Sequence, residues 1–191
     1  MNISPKIIEK IIALKTPAII GVSGFGGAGK STFASALSSA IKAPVVGVDS
    51  FATDRLDDHH SHWGSVDFMR LEQEVLRPFI EGQNLINYGQ YDWNINGISE
   101  IIHIPRCDIL IVEGIGLFRP ELLEYFSYKI WIDTSIVEAT RRGKKRDREV
   151  YQNPQDEKWD GSWKKNDLEY FKDFKPKEQA DVVIDNSQQN F

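Results

Sequence analysis

The chain predicts an α/β fold in three layers: a five-stranded parallel sheet, helices on both faces, and a small lid. Three observations predict it. Short runs of Val, Ile and Leu alternate with segments of helical period, and the runs are apolar on both faces, as strands buried in a parallel sheet are. A glycine-rich octapeptide joins the first run to a helix. Two acids, Asp49 and Glu113, stand directly after apolar runs, where parallel sheets gather their ligands.

The elements follow in order. Ile3, Ile7, Ile8, Ile11, Ile12 and Leu14 recur at helical spacing among Lys6, Glu9 and Lys10, which predicts an amphipathic helix docked on the domain rather than a leader peptide. Residues 18–22 read as the first strand, and 31–41, rich in Ala, Leu and Ser, as the helix after the glycine loop. Residues 45–48 are the second strand. A helix over 67–81 has Asp67 as N-cap and Gly82 as stop. Residues 109–112 are the third strand, and Pro120 opens a short helix to 126. The fourth strand is 129–132, a helix covers 135–145, and the fifth strand is 182–184.

Two regions break the alternation. Residues 51–66 form a polar loop with three histidines. Residues 84–104 carry Tyr88, Tyr91, Trp93 and scattered isoleucines, which suit an irregular strand pair. No linker marks a second domain. The expectation is one domain over 1–191, with a substrate-binding insertion at about 51–104, a lid at about 143–162 and a frayed tail from Asn186.

Composition narrows the partners. Among the 191 residues, 41% are hydrophobic and 27% charged, as in an ordinary globular protein. The net charge of -5 argues against a general electrostatic grip on nucleic acid. No apolar run is long enough to span a bilayer. The single cysteine, Cys107, allows no internal disulfide and suits a reducing compartment; it precedes an apolar run and is expected to be buried rather than reactive. A cytoplasmic protein acting on a small molecule is the expectation, with no nucleic acid or membrane partner; a homo-oligomer is compatible with it.

The chemistry concentrates in Gly24-Phe25-Gly26-Gly27-Ala28-Gly29-Lys30-Ser31, which matches the phosphate-binding pattern G-x-x-x-x-G-K-[ST] at every fixed position. Glycines permit positive φ, so successive N–H groups can converge on one anion, and the following helix adds its positive end. Gly24, Gly26, Gly27, Ala28, Gly29 and Thr32 are the candidates to cradle the phosphates of ATP. Lys30 reaches the β- and γ-phosphates, and Ser31 ligates Mg2+. Asp49 can take a proton from an attacking hydroxyl or hold a water on magnesium. Glu113 offers a second oxygen on the magnesium side, facing the substrate.

The segment 141–148 carries Arg141, Arg142, Lys144, Lys145, Arg146 and Arg148. Planar cations offset the charge that develops in phosphoryl transfer, and Arg142, Arg146 and Arg148 are the candidates for it. Glu138 and Arg142 can also simply pair at i,i+4. The polar, proline-broken stretch 149–163 suits a lid that excludes water. Tyr91-Asp92-Trp93 can sandwich a flat base and bond a ribose hydroxyl, or can pack in a core. His59, His60 and His62 lack further ligands and read as loop residues, not a metal set; His103, among isoleucines, reads as structural.

With these motifs the chain resembles the uridine kinase and phosphoribulokinase family of P-loop kinases over 18–185. The resemblance is carried by Gly21-Val22-Ser23-Gly24, Asp49-Ser50-Phe51, Tyr91-Asp92-Trp93, Val112-Glu113-Gly114, Ile132-Asp133-Thr134 and Ala180-Asp181-Val182-Val183-Ile184. It implies a nucleoside-kinase-like P-loop NTPase fold, ATP and Mg2+, and transfer to a primary hydroxyl. It implies Asp49 as base, Tyr91 to Trp93 in the nucleoside pocket, and phosphate contacts from the arginines. Asn96 stands where uridine kinases carry a base-contacting histidine, and His62-Trp63-Gly64-Ser65-Val66-Asp67 replaces a His-Pro-Asp run. Asp57, Asp58 and Asp67 are the carboxylates that could meet a ribose. Residues 150–154 resemble the lid of nicotinamide riboside kinases.

The expected activity is therefore phosphoryl transfer from ATP to a nucleoside hydroxyl. The alternatives are nicotinamide riboside, pantothenate or a sugar phosphate as acceptor, or a non-kinase P-loop nucleotide-binding protein. A GTP switch would need Asn-Lys-x-Asp and a transport ATPase a Ser-Gly-Gly signature; neither occurs.

Overall fold

In the computed structural model, which describes residues 3–53 and 61–187, β1 (Ala18–Gly24) is buried along its whole length. A strand buried on both faces needs cover above and below. β1 is accordingly the middle of a five-stranded sheet of order β2-β5-β1-β6-β7. Here β2 is Val45–Gly47, β5 Ile109–Glu113, β6 Tyr128–Asp133 and β7 Val182–Asp185. Every pairing in it is parallel. The chain goes from β1 to one edge and later crosses to the other, so the order reverses around the carboxyl end of β1, where such sheets open a crevice.

The helices track the apolar pattern, with instructive exceptions. α1 (Pro5–Ile12) buries Ile7 and Ile11, but Ile12, expected on its apolar side, is 63% exposed. α2 (Lys30–Ile41) follows the glycine loop and buries Phe33, Ala34 and Leu37. Asp67 caps the next helix, its Oδ1 accepting the Arg70 N–H at 2.9 Å. That helix runs through α3 (Phe68–Leu71), a π-helical turn (Glu72–Leu76) and α4 (Arg77–Ile80), and the chain turns away at Gly82, φ +73°. The helix expected from Pro120 is a correction: only a 3-10 turn forms (Leu123–Tyr125). Leu122, Tyr125 and Phe126 donate to carbonyls three residues back, and the segment is too short to propagate an α-helix before β6 begins.

α5 (Ile136–Glu149), capped by Ser135, extends through the whole basic cluster. α6 (Asp156–Asp160) and α7 (Ser162–Phe174) follow. The sequence reading contains no helix at 162–174. The inward face of α7 includes Asn166 and Asp167 beside Tyr170, all buried, so apolar periodicity alone does not reveal it.

The irregular pair materialises as an antiparallel ribbon, β3 (Leu85–Asp92) and β4 (Gly97–Pro105), with a bulge at Gln90/Tyr91. A two-stranded ribbon is marginal by itself. This one is anchored by Ile86, Tyr88 and Ile104 in the core, by stacking of Tyr88 on Phe51 at 5.5 Å, and by Arg70, whose guanidinium donates to the Ser50 and Gly89 carbonyls. Cys107 is half-buried, and burial pushes its thiol pKa up. Among the described residues no helix is long and apolar enough to cross a membrane.

Packing around β1 leaves no spare volume. A Cβ on Gly21 would stand 2.7 Å from the Phe118 ring and 2.9 Å from the Phe126 ring. Gly21→Ala is expected to destabilise the fold by about 1–3 kcal/mol, read as a lower urea midpoint at unchanged slope.

Candidate functional site

The glycine loop leaves β1 at Gly24 and enters α2 through Gly29, which adopts φ +98°. Gly27 has φ +80°, and a Cβ there would stand 2.1 Å from the Ala139 carbonyl oxygen on α5. The loop thus lies on α5 backbone so closely that a side chain at 27 has no room. Lys30, only 8% exposed, donates from Nζ to the Phe25 carbonyl at 2.9 Å. Burial pulls its pKa down, while the Glu113, Asp167 and Asp49 carboxylates around it act the other way.

Ser31 Oγ donates to Glu113 Oε1 at 3.0 Å, linking the first turn of α2 to the end of β5. Burial raises the Glu113 pKa, with Asp49 adding to the rise and Lys30 opposing it. Asp49 is exposed in a 3-10 turn (Val48–Phe51) directly after β2. Lys30, Ser31, Glu113 and Asp49 therefore converge from the carboxyl ends of β1, β5 and β2. A hydroxyl and two carboxylates form an oxygen-only donor set, which is what Mg2+ requires. Among the described residues no group of three or more His, Cys, Asp or Glu is arranged to hold a metal.

The arginines divide. Arg142 is buried; it donates to Glu138 at 2.8 Å and to the Asn186 carbonyl at 2.9 Å. Asn186 in turn donates from Nδ2 to the Ala28 carbonyl at 2.7 Å, so Arg142 ties α5, the end of β7 and the glycine loop together. Arg146 bonds Asp147 at 2.9 Å, lies over the Tyr151 ring, and is close enough to influence both Lys30 and Glu113. Arg148 is exposed and pairs with Asp156. Thr32 is exposed on the first turn of α2.

The ribbon brings Tyr91 and Asn96 together, the buried tyrosine hydroxyl donating to Asn96 Oδ1. It leaves Trp93 66% exposed, in edge contact with the Tyr91 ring. Ser50 Oγ donates to Gln90 Oε1 at 2.9 Å, which joins the ribbon to the turn carrying Asp49. A cavity of about 530 Å3 opens beside Val66, Asp67, Phe68 and Arg119. Of the candidate ribose carboxylates, Asp67 lines it; Asp57 and Asp58 lie outside the described residues, as do His59 and His60. His62 pairs with Asp173 at 2.8 Å and stacks on Phe174, and exposed His103 bonds Asn87 across the ribbon, both structural roles.

One residue of the site escaped the sequence reading. Asp167 on α7 is 2% exposed; its Oδ2 accepts the Gly26 N–H of the loop at 2.8 Å and its Oδ1 the Trp63 indole N–H at 2.9 Å. Its only sequence signal is helical spacing with Trp163, Tyr170 and Phe174. Burial raises its pKa to about 6, against the pull of Lys30 and of both hydrogen bonds. An acid raised above its unfolded value binds more protons in the native state, so its stabilising contribution is complete below about pH 4 and is lost as pH rises through about 6. Asp167→Asn removes that titration. The stability of the variant relative to the parent is expected to climb by up to ~3 kcal/mol between pH 4 and pH 7, as measured by urea unfolding across that range.

No family model matches the chain. Uridine kinase from Proteus mirabilis (strain HI4320) is 30% identical to it over 146 residues, 68% of each chain. Uridine kinase from Lactobacillus helveticus (strain DPC 4571) is 28% identical over 135 residues, and here the chain spans 63% of the relative's length. In fold, the chain is similar to the solved structure of a possible uridine kinase from Bacillus stearothermophilus. The TM-score is 0.72 at 20% identity, covering 94% of this chain and 96% of that one. The P-loop between β1 and α2, the five-stranded parallel sheet and the relationship to the Proteus protein together place this chain in the uridine kinase family.

Proposed function

We propose that the chain is an ATP-dependent small-molecule kinase that transfers the terminal phosphoryl group of ATP to a primary hydroxyl, with a nucleoside such as uridine as acceptor. The observation that carries this reading is the convergence of Lys30, the Ser31–Glu113 pair and Asp49 at the carboxyl ends of three adjacent strands. One catalytic domain spans 1–191, with the ribbon as part of an acceptor-side insertion and 143–162 as lid.

The roles follow from the chemistry of each group. Amides of the loop from Gly24 to Ser31, with Thr32, bind phosphate oxygens, and Lys30 neutralises the terminal two phosphates. Ser31 and Glu113 would hold Mg2+, which when bound draws charge from the phosphate oxygens. Asp49, the exposed carboxylate of the group, accepts the proton of the acceptor hydroxyl as its oxygen bonds to phosphorus and the bond to the ADP oxygen breaks. Arg146, close enough to influence Lys30 and Glu113, offsets charge on the moving group, and Arg142 and Arg148 support it from α5. Tyr91, Trp93 and Asn96 meet the acceptor base.

Asn96 weakens the case for uridine in particular, because it stands where uridine kinases carry a base-contacting histidine. Nicotinamide riboside, pantothenate or a sugar phosphate would use the same reaction machinery. ADP release measured against a panel of these alcohols with uridine and cytidine tests the reading. Activity strictly dependent on one nucleoside supports it, and acceptor-independent turnover or none with any alcohol refutes it.

Two variants test the roles. Lys30→Ala is expected to lower kcat/KM for ATP on the order of 100-fold or more with an intact fold by circular dichroism. Asp49→Asn is expected to lower kcat by roughly 10²–10⁴-fold while the KM for ATP stays within a few fold. Equal losses in kcat and ATP binding would remove Asp49 as the base.

A further inference from the structure

The phosphate loop grips an anion that belongs to the chain itself. Asp167 accepts the Gly26 amide N–H and lies close enough to Lys30 to feel its charge, sealed from solvent at 2% exposure. Its neighbour Asn166 accepts the Trp63 main-chain N–H at 2.8 Å. Two successive residues of α7 thus hold Trp63 of the 61–66 segment, and Asp167 links it to the loop. Trp159 covers the same loop: its ring would be 3.1 Å from a Cβ on Gly26, and its indole donates to Asp147 at 2.6 Å. The lid's basic groups are answered by the lid's own acids, Lys144 by Asp160 at 2.6 Å and Arg148 by Asp156. Lys30 itself points back at the Phe25 carbonyl.

A carboxylate and the terminal oxygens of a triphosphate seek the same partners, main-chain N–H groups beside an ammonium. Both cannot take the Gly26 amide at once, both draw on the charge of Lys30, and two anions in one buried pocket repel. We propose that the Asp167 carboxylate is an internal competitor for the terminal phosphate of the bound nucleotide. Nucleotide entry must swing α7 and the 61–66 segment off the loop. This rests on the nucleotide-binding reading above. Competition acts mainly at the γ-phosphate end, because Lys30 is the group that reaches the β- and γ-phosphates. Gly64 and Val66 also line the 530 Å3 cavity, so displacement of this segment reshapes that cavity as the nucleotide enters.

Calorimetric titration of the parent protein and Asp167→Asn with Mg2+ and AMP-PNP, and separately with Mg2+ and ADP, tests the inference at pH 7.5. The variant is expected to bind AMP-PNP at least about tenfold more tightly than the parent, with a smaller gain for ADP, as removal of one nearby like charge predicts. Equal or weaker AMP-PNP binding by a folded variant overturns the inference and leaves the kinase reading standing. Failure of both proteins to bind either nucleotide overturns the kinase reading and this inference with it. Hydrogen exchange of the parent protein needs no variant. Peptides covering 61–66 and 162–174 are expected to exchange faster with AMP-PNP present, and unchanged or slower exchange there refutes the displacement.

Discussion

A buried ammonium group is tolerated only where anions surround it, and Lys30 organises the carboxyl edge of the sheet through that demand. Its three carboxylates come from three different places: Glu113 from the end of β5, Asp49 from the turn after β2, and Asp167 from α7. Each is brought by a separate stretch of chain, so the charge cluster exists only when sheet, turn and late helix are all in place. The same cluster sets the direction of the pKa shifts. Burial lifts Glu113 and Asp167 while Lys30 restrains both. One electrostatic knot thus links fold to chemistry.

Backbone geometry supplies the second constraint. Gly27 lies on the Ala139 carbonyl, and Asn186 reaches the Ala28 carbonyl while Arg142 holds the Asn186 carbonyl. The glycine loop is therefore clamped between α5 and the end of β7. This explains why a residue as basic as Arg142 is buried: its guanidinium satisfies a carboxylate and main-chain oxygens at a junction of three elements. Arg146, one turn further along α5, is exposed, bonds Asp147 and lies over the Tyr151 ring. Arg142 and Arg146 share one helix face, so their different partners come from what each turn of α5 packs against, which composition does not reveal.

Legibility in the sequence varied with how local the cause was. The strands around β1 were legible because burial on both faces makes them uniformly apolar. The Asp67 cap was legible because a single side chain and its own helix decide it. The short helix after Pro120 was misread because length, not residue type, prevents an α-helix there. α7 was missed because Asn166 and Asp167 occupy its buried face, and their partners Trp63 and Gly26 lie more than 100 residues away. Tyr91 and Trp93 could be singled out together, yet only packing decides that one is buried and the other exposed.

The sequence by itself determined the parallel α/β architecture, the phosphate loop and the pair of strand-end acids, since these depend on local periodicity, glycine chemistry and position after a strand. Tertiary structure alone decided that Arg142 is buried while Arg146 and Arg148 are exposed, how the ribbon docks on the Asp49 turn, and that Asp167 holds the loop amide. Those outcomes depend on contacts between distant segments, where burial and charge balance, rather than neighbouring residues, select the arrangement.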